Sequence, residues 1–232
     1  MKFQRYQDLQ YLSQIQQGAR VATVLFHGYG ADASDLYSLG QVLRVEQAMD
    51  WYFPQGFLEV PIGPMMSGRA WFELRASDFD RYAKGQYEDR GISSQQEECI
   101  KKVCLWMNHL GSSYDKVFIG GFSQGAILTS HCFHRLEFVP GGLAFLSGVL
   151  LAASAIPILP KNFKGLSYFQ SHGKGDQVLP INGAHKLYNK LQELGLKGEW
   201  HEFHGGHEIP LEIISRLQNF LNASSNLEAN PV

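Results

Sequence analysis

Lys116-Val117-Phe118-Ile119-Gly120-Gly121-Phe122-Ser123-Gln124-Gly125 is the stretch on which the reading of this chain turns. A short apolar run leads into Gly-x-Ser-x-Gly, and Ala126, Ile127 and Leu128 begin an apolar stretch that reads as a helix. A strand, a sharp turn and a helix in that order make a nucleophile elbow. The serine sits there on strained backbone with its hydroxyl exposed. The small positions, here Gly121 and Gly125, are required because a Cβ would strike the adjoining strand and helix. The helix that starts just after Ser123 points its unpaired N–H groups toward the reacting centre, where a negatively charged tetrahedral intermediate is stabilised by them. The alternative is an ordinary glycine-rich turn between strand and helix. A five-residue pattern alone does not separate the two, so the surrounding chain must.

On the N-terminal side, residues 21–26 form a near-continuous apolar and β-branched run, as expected of a strand buried on both faces, and residues 11–14 suggest a shorter strand. Ser34 or Asp35 can cap a helix reaching about Val45, followed by a brief strand at 51–53 that Pro54 closes. Residues 54–74 carry many glycines and prolines beside large apolar side chains, so they read as an irregular segment folded back onto the protein. Residues 75–90 turn charged and aromatic and receive no element. Ser93 or Ser94 opens a helix with a capping box to Gln96 or Glu97, and Ile100, Val103, Cys104, Met107 and Leu110 follow at helical spacing until Gly111.

Beyond the elbow, strands are expected at 142–146, 166–170 and 199–203. Ala184, Leu187, Tyr188, Leu191 and Leu194 mark one face of a helix that Gly195 ends, and Pro210 suits the first position of a last helix through Leu221. Residues 222–232 read as a polar, mobile tail. Strands alternate with helices throughout, which points to an α/β fold with a mostly parallel central sheet flanked by helices, in a single domain over 1–232.

Composition narrows the function classes. A formal net charge of -2 with acids and bases interspersed provides no basic stripe for nucleic acid and no polybasic patch for anionic lipid. The expected partner is a small molecule. The N-terminal residues are polar and Gln-rich, and no apolar run approaches the length of a membrane span, so no stable membrane insertion and a cytoplasmic setting are expected. Three cysteines without metal-site spacing, Cys99, Cys104 and Cys132, fit reduced core thiols. Oligomeric state is left open.

In open α/β sheets the chemistry collects at the carboxyl ends of the strands. Four strand ends carry polar, glycine-rich turns: 27–32, Ser123, 172–176 and 204–207. A serine hydrolase on such a sheet needs nucleophile, acid and histidine in that chain order, and Ser123, Asp176 and His207 meet it. His207 would take the Ser123 proton and return it to the leaving group, while Asp176 would fix the imidazole tautomer. Backbone N–H groups of Tyr29 and Gln124 are the expected oxyanion donors.

Each assignment has a plainer competitor. Asp176 could be only a turn residue in Gly-Lys-Gly-Asp, and His204 competes with His207 for the base, although the glycine pair before His207 favours the latter. His201, His204 and His207 resemble a metal cluster on paper, but residues three apart across a strand and turn do not converge, so no metal is expected. His27 and His172 are expected to brace loops. Met65, Met66, Trp71 and Phe72 are either core packing or the wall of an acyl site.

Taken together, Phe26-His27-Gly28-Tyr29-Gly30-Ala31-Asp32, Arg69-Ala70-Trp71-Phe72, the GFSQG elbow, His172-Gly173-Lys174-Gly175-Asp176 and Gly206-His207-Glu208 resemble the phospholipase/carboxylesterase family of α/β-hydrolases. That group includes acyl-protein thioesterases and small carboxylesterases. The resemblance runs from about Val21 to Leu221. It implies that Ser123, Asp176 and His207 match the family triad, that Tyr29 and Gln124 match its oxyanion positions, and that no cofactor is needed. Ala126 stands where the family usually adds a glycine, Gln177 where a proline usually follows the acid, Glu73 where aspartate is frequent and Tyr29 where leucine is common. The expected activity is cleavage of a small-molecule carboxylic ester or thioester through an acyl-enzyme, with Met65, Met66, Trp71 and Phe72 as the acyl-binding surface. A lysophospholipase, or a silent hydrolase fold used for binding, are the alternatives.

Overall fold

A computed structural model of the chain describes residues 1–74, 76–84, 86, 91–151 and 156–225. Its centre is a sheet of eight strands in the order β1-β2-β4-β3-β7-β8-β9-β10. β3 (Val21–Phe26) and β7 (Lys116–Phe122) lie side by side in parallel, with Phe26 opposite Gly121. All six residues of β3 are buried, as an apolar run covered on both faces requires. β4 (Met49–Pro54), β8 (Gly142–Leu146), β9 (Ser167–Gly173) and β10 (Lys197–Phe203) extend the parallel sheet on both sides. β1 (Gln4–Tyr6) and β2 (Leu9–Gln14) add an antiparallel edge next to β4.

Two apolar layers sandwich this sheet. One packs Phe26, Val24 and Phe145 against α3 (Ser94–Gly111), α4 (Gln124–Cys132) and α5 (Ile181–Glu193). The other packs Leu25, Leu146 and Phe169 against α1 (Tyr37–Val42) and α6 (Leu211–Ser225). The helix starts are written locally. Ser93 accepts from the Gln96 N–H at 3.2 Å, and the Gln96 side chain accepts from the Ser93 N–H at 2.9 Å, the reciprocal box expected for α3. α1 is shorter than expected because Asp32 captures the Ser34 N–H at 2.8 Å, holding that segment in a turn instead of a helix start.

The 54–74 segment, expected to be irregular, contains a hairpin of β5 (Leu58–Gly63) and β6 (Met66–Ala70). Its turn places Met65 at φ 61°, and Pro61, Gly63 and Gly68 interrupt the alternation by which strands are recognised. The hairpin is stabilised by docking: Gly30 N–H donates to the Arg69 carbonyl at 2.8 Å, and Arg69 N–H donates to that of Ala31 at 2.7 Å. α2 (Ala76–Ala83) falls within the 75–90 stretch that received no element. α6 continues to Ser225, so part of the expected tail is helical; residues 226–232 lie outside the described residues.

Candidate active site

Ser123 follows β7 with φ 55° and ψ -118°, a backbone conformation that side-chain-bearing residues adopt only under strain. The strain is held by packing. A Cβ on Gly125 would strike the Phe26 carbonyl, and one on Gly121 would come within 2.6 Å of the Gly125 oxygen and 2.8 Å of the Phe26 oxygen. Only with both glycines can α4 start this close to β3. Ser123 N–H is fixed by the Leu146 carbonyl at 2.9 Å, and its own carbonyl accepts from Ala126 and Ile127 at 3.0 and 3.1 Å. Ala126, which takes the place of the usual family glycine, turns its methyl toward Gly148, where a second Cβ would collide with it.

Two further strand ends converge on this serine. His207 Nε2 lies 2.8 Å from Ser123 Oγ, and His207 Nδ1 lies 2.6 Å from Asp176 Oδ2. The acid and histidine meet because β9 and β10 are adjacent and their pairing continues past the strands: Lys174 N–H donates to Phe203 at 2.9 Å and Gly175 N–H to Gly205 at 2.9 Å. The Asp176 side chain is fully buried, and its other oxygen accepts from the N–H groups of Val178 at 2.9 Å and Leu179 at 2.8 Å. Burial alone would raise its pKa, but hydrogen bonds from His172 and His207, the His207 charge and the Leu179 N–H outweigh it and hold the carboxyl well below its ordinary range. Phe122, the residue before the serine, braces the His207 ring at a centroid distance of 4.8 Å.

The turn after β3 is fixed by the residue that opens it. His27 Nε2 accepts from Gly56 N–H at 2.9 Å, so its proton sits on Nδ1 and is donated to the Gly28 carbonyl at 2.7 Å. Burial pushes this imidazole down to about 4, which keeps it in that neutral form. Tyr29 and Gln124, the expected oxyanion positions, both line a cavity of about 290 Å³ that also contains Ser123 and His207. Gln124 opens α4, where helix geometry leaves N–H groups without intrahelical acceptors. Its buried side chain accepts from Trp71 N–H at 3.0 Å and donates to the Phe72 carbonyl at 2.8 Å.

The expected acyl surface is not built as supposed. Met65 on the hairpin turn and Met66 at the start of β6 are 105 % and 62 % exposed, and neither is among the residues lining the cavity. The hairpin turns them to solvent. Trp71 and Phe72 are each 1 % exposed and belong to the core; Trp71 Nε1–H donates to the His27 carbonyl at 2.9 Å and so supports the β3 turn from beneath. The apolar wall is supplied instead by Leu74, Tyr82, Phe122, Ile127, Val178 and Leu179. Leu74 ends the segment singled out by composition, whereas Tyr82 arrives on α2 and Val178 lies two residues past Asp176, and no sequence pattern marks either side chain as part of a wall.

The competing histidines are also placed. His204 is exposed, and His201 pairs with Glu199 at 3.1 Å and packs on Phe169 at 4.8 Å, so neither joins His207. Among the described residues, no group of three or more His, Cys, Asp or Glu is arranged to hold a metal ion, and no helix is long and apolar enough to cross a membrane.

Residues 12–225 match the family model described as Phospholipase/Carboxylesterase. The chain is 24 % identical to acyl-protein thioesterase 1 of Eremothecium gossypii over 91 % of each chain. It is 29 % identical to acyl-protein thioesterase 1 of Neurospora crassa over 86 % of this chain and 85 % of that one. Among solved structures it is similar to esterase PE8, with a TM-score of 0.74 and 24 % identity over 92 % of this chain and 96 % of that one. Arabidopsis thaliana SOBER1 superimposes with a TM-score of 0.71 at 22 % identity, covering 90 % and 100 % of the two chains.

Proposed function

We propose that this chain, which belongs to the phospholipase/carboxylesterase family of α/β-hydrolases, hydrolyses carboxylic esters or thioesters of small molecules through an acyl-enzyme on Ser123. The observation that carries the proposal is the continuous chain Ser123 Oγ, His207 Nε2, His207 Nδ1 and Asp176 Oδ2, with links of 2.8 and 2.6 Å. A serine hydroxyl is a poor nucleophile until a base takes its proton. His207 Nε2 accepts that proton as Oγ bonds to the substrate carbonyl carbon. The negative charge that develops on the carbonyl oxygen is met by the backbone N–H groups of Tyr29 and Gln124. His207 then protonates the departing alcohol or thiol, and the C–O or C–S bond breaks. A water molecule, deprotonated by the same nitrogen, releases the acid and restores the serine. Asp176, held ionised by its hydrogen bonds, stabilises the imidazolium in both halves.

The cavity supports an acyl group as the part that is buried. Its volume of about 290 Å³ lies at the lower edge of the ~300–1,000 Å³ common for small-molecule sites, and its wall is almost wholly apolar. A larger depression of about 450 Å³, lined by Glu73, Asp78, Arg81 and Gln95 among others, shares Leu74 and Tyr82 with it but does not contain Ser123. The test is covalent: a fluorophosphonate should label Ser123 once per chain, and acetate to octanoate nitrophenyl esters beside acyl thioesters should then define the preferred acyl length. Failure of a folded, ester-exposed chain to label at Ser123 sinks the proposal.

A further inference from the structure

The geometry points to His172 as a positioning residue for this site: its imidazole N–H closes the turn that carries Asp176 by donating to the Leu179 carbonyl, and it stands close beside the same carboxylate oxygen that faces His207. The inference rests on the reading of Ser123, Asp176 and His207 as one catalytic unit. His172 is the next to last residue of β9, and its side chain, like that of Asp176, has no exposed surface. Its Nε2 lies 2.6 Å from the Leu179 carbonyl oxygen, which can only accept, so the proton is on Nε2. The same nitrogen lies 3.3 Å from Asp176 Oδ2.

Leu179 takes part twice. Its carbonyl receives His172, while its N–H donates to Asp176 Oδ1, so one residue ties the imidazole and the carboxylate together. Oδ1 then has two donors, Val178 and Leu179, while Oδ2 accepts from His207 and has the positive edge of the His172 ring 3.3 Å away. With Oδ1 held by two N–H groups and His172 packed against Oδ2, the carboxylate is kept turned toward His207. The other ring nitrogen of His172, Nδ1, is buried with no hydrogen-bond partner among the described residues. An imidazole whose second nitrogen has no hydrogen bond is not explained by packing, since a phenyl ring would fill the space without that cost. The donor edge is the part the site uses.

The charged groups around this ring are Asp176 on its own turn, His207 on the neighbouring loop, and Glu202 at the paired position on β10. The Glu202 carboxylate is taken up by Lys174 at 3.4 Å and His185 at 3.1 Å. Removing the His172 donor therefore leaves Asp176 Oδ2 more basic toward His207. The acidic limb of kcat/KM, which reports the free base, moves to higher pH.

The experiment compares His172→Phe, His172→Asn and His172→Gln in the full chain, using pH profiles of nitrophenyl ester hydrolysis and thermal melts. Phe keeps the volume without a donor, Asn is too short to reach, and Gln can place an amide N–H near the position of Nε2. We expect Phe and Asn to lower kcat by roughly ten- to hundredfold with KM little changed. We also expect them to move the acidic limb upward by about half a unit or more, with Gln recovering most of both. If Phe does not fold, the Asn and Gln pair decides. Variants that melt earlier or turn over more slowly with the limb unmoved would overturn the role of His172. A Ser123→Ala control that kept its rate would instead overturn the catalytic unit itself.

Discussion

The turns that follow β3, β7, β9 and β10 and the excursion formed by the β5–β6 hairpin with α2 meet over the same serine, yet they are held there by different means. The turns after β7, β9 and β10 are bound to the sheet by bonds to their nearest neighbours, whereas the turn after β3 is where the excursion attaches. Ser123 N–H reaches Leu146 on the adjacent strand, and Gly175 N–H reaches the loop after β10. The excursion has a separate two-stranded sheet and joins the site through distant partners, Arg69 with Gly30 and Ala31, and Trp71 and Phe72 with Gln124. A group whose geometry must be kept within a fraction of an ångström sits on the first kind of structure. Binding surface, which tolerates more variation, is supplied in part by the second.

The largest effect that tests this contrast lies on the turns. Ser123→Ala or His207→Ala should lower kcat by on the order of 10⁴-fold or more while the circular dichroism spectrum stays native, because nucleophile and base act as one unit. A folded Ser123→Ala protein with the parent rate would remove the catalytic turns from the comparison altogether.

A smaller effect probes the joint between the two regions. A Cβ on Gly68 of β6 would strike the carbonyl of Gly30, the residue after Tyr29. Gly68→Ala should therefore destabilise the fold by about 1–3 kcal/mol, as overpacking does, and lower kcat as well, because the turn carrying the Tyr29 N–H must shift. Thermal melts and initial rates together decide it. Unchanged kcat with a lower Tm would mean that the hairpin is only packed beside the turn and does not set its position.

The smallest effect concerns the binding surface itself. At about 0.8 kcal/mol per buried methylene, Tyr82→Ala or Val178→Ala should alter relative kcat/KM between short and medium esters by roughly a few-fold to tenfold. Met65→Ala and Met66→Ala, at exposed positions of the hairpin, should leave that ratio within about twofold. A chain-length profile that follows the methionines and ignores Tyr82 would reverse the assignment of the wall.

The same contrast explains what could be read in the chain beforehand. β3 and β7 announce themselves as apolar runs, and the glycines at 121 and 125 occur where backbone contact permits nothing larger, so the parallel sheet and the serine turn are legible. The placement of Ser123, Asp176 and His207 in the turns after β7, β9 and β10 is legible for the same reason, since each turn follows a strand. The hairpin is not, because Pro61, Gly63 and Gly68 interrupt its alternation and it is seated by docking onto residues 30 and 31, which no periodicity encodes. The cavity wall is least legible. Leu74, Tyr82, Ile127 and Val178 come from four separate parts of the chain, and their grouping exists only in the folded protein. Composition singles out Met65 and Met66, but apolar residues also occupy exposed positions, and composition carries no direction.

Gln124 shows how a group that mutation cannot delete remains under genetic control. The N–H proposed to meet the oxyanion belongs to the backbone, so every replacement except proline retains it. The side chain of the same residue holds Trp71 by its N–H and Phe72 by its carbonyl. It is thus the handle by which the coding sequence can adjust where that donor rests. An amino-acid change at 124 would act as a displacement and not as a deletion; in the proposed mechanism that makes the position a graded control on rate, where loss of Ser123 or His207 would be all-or-none.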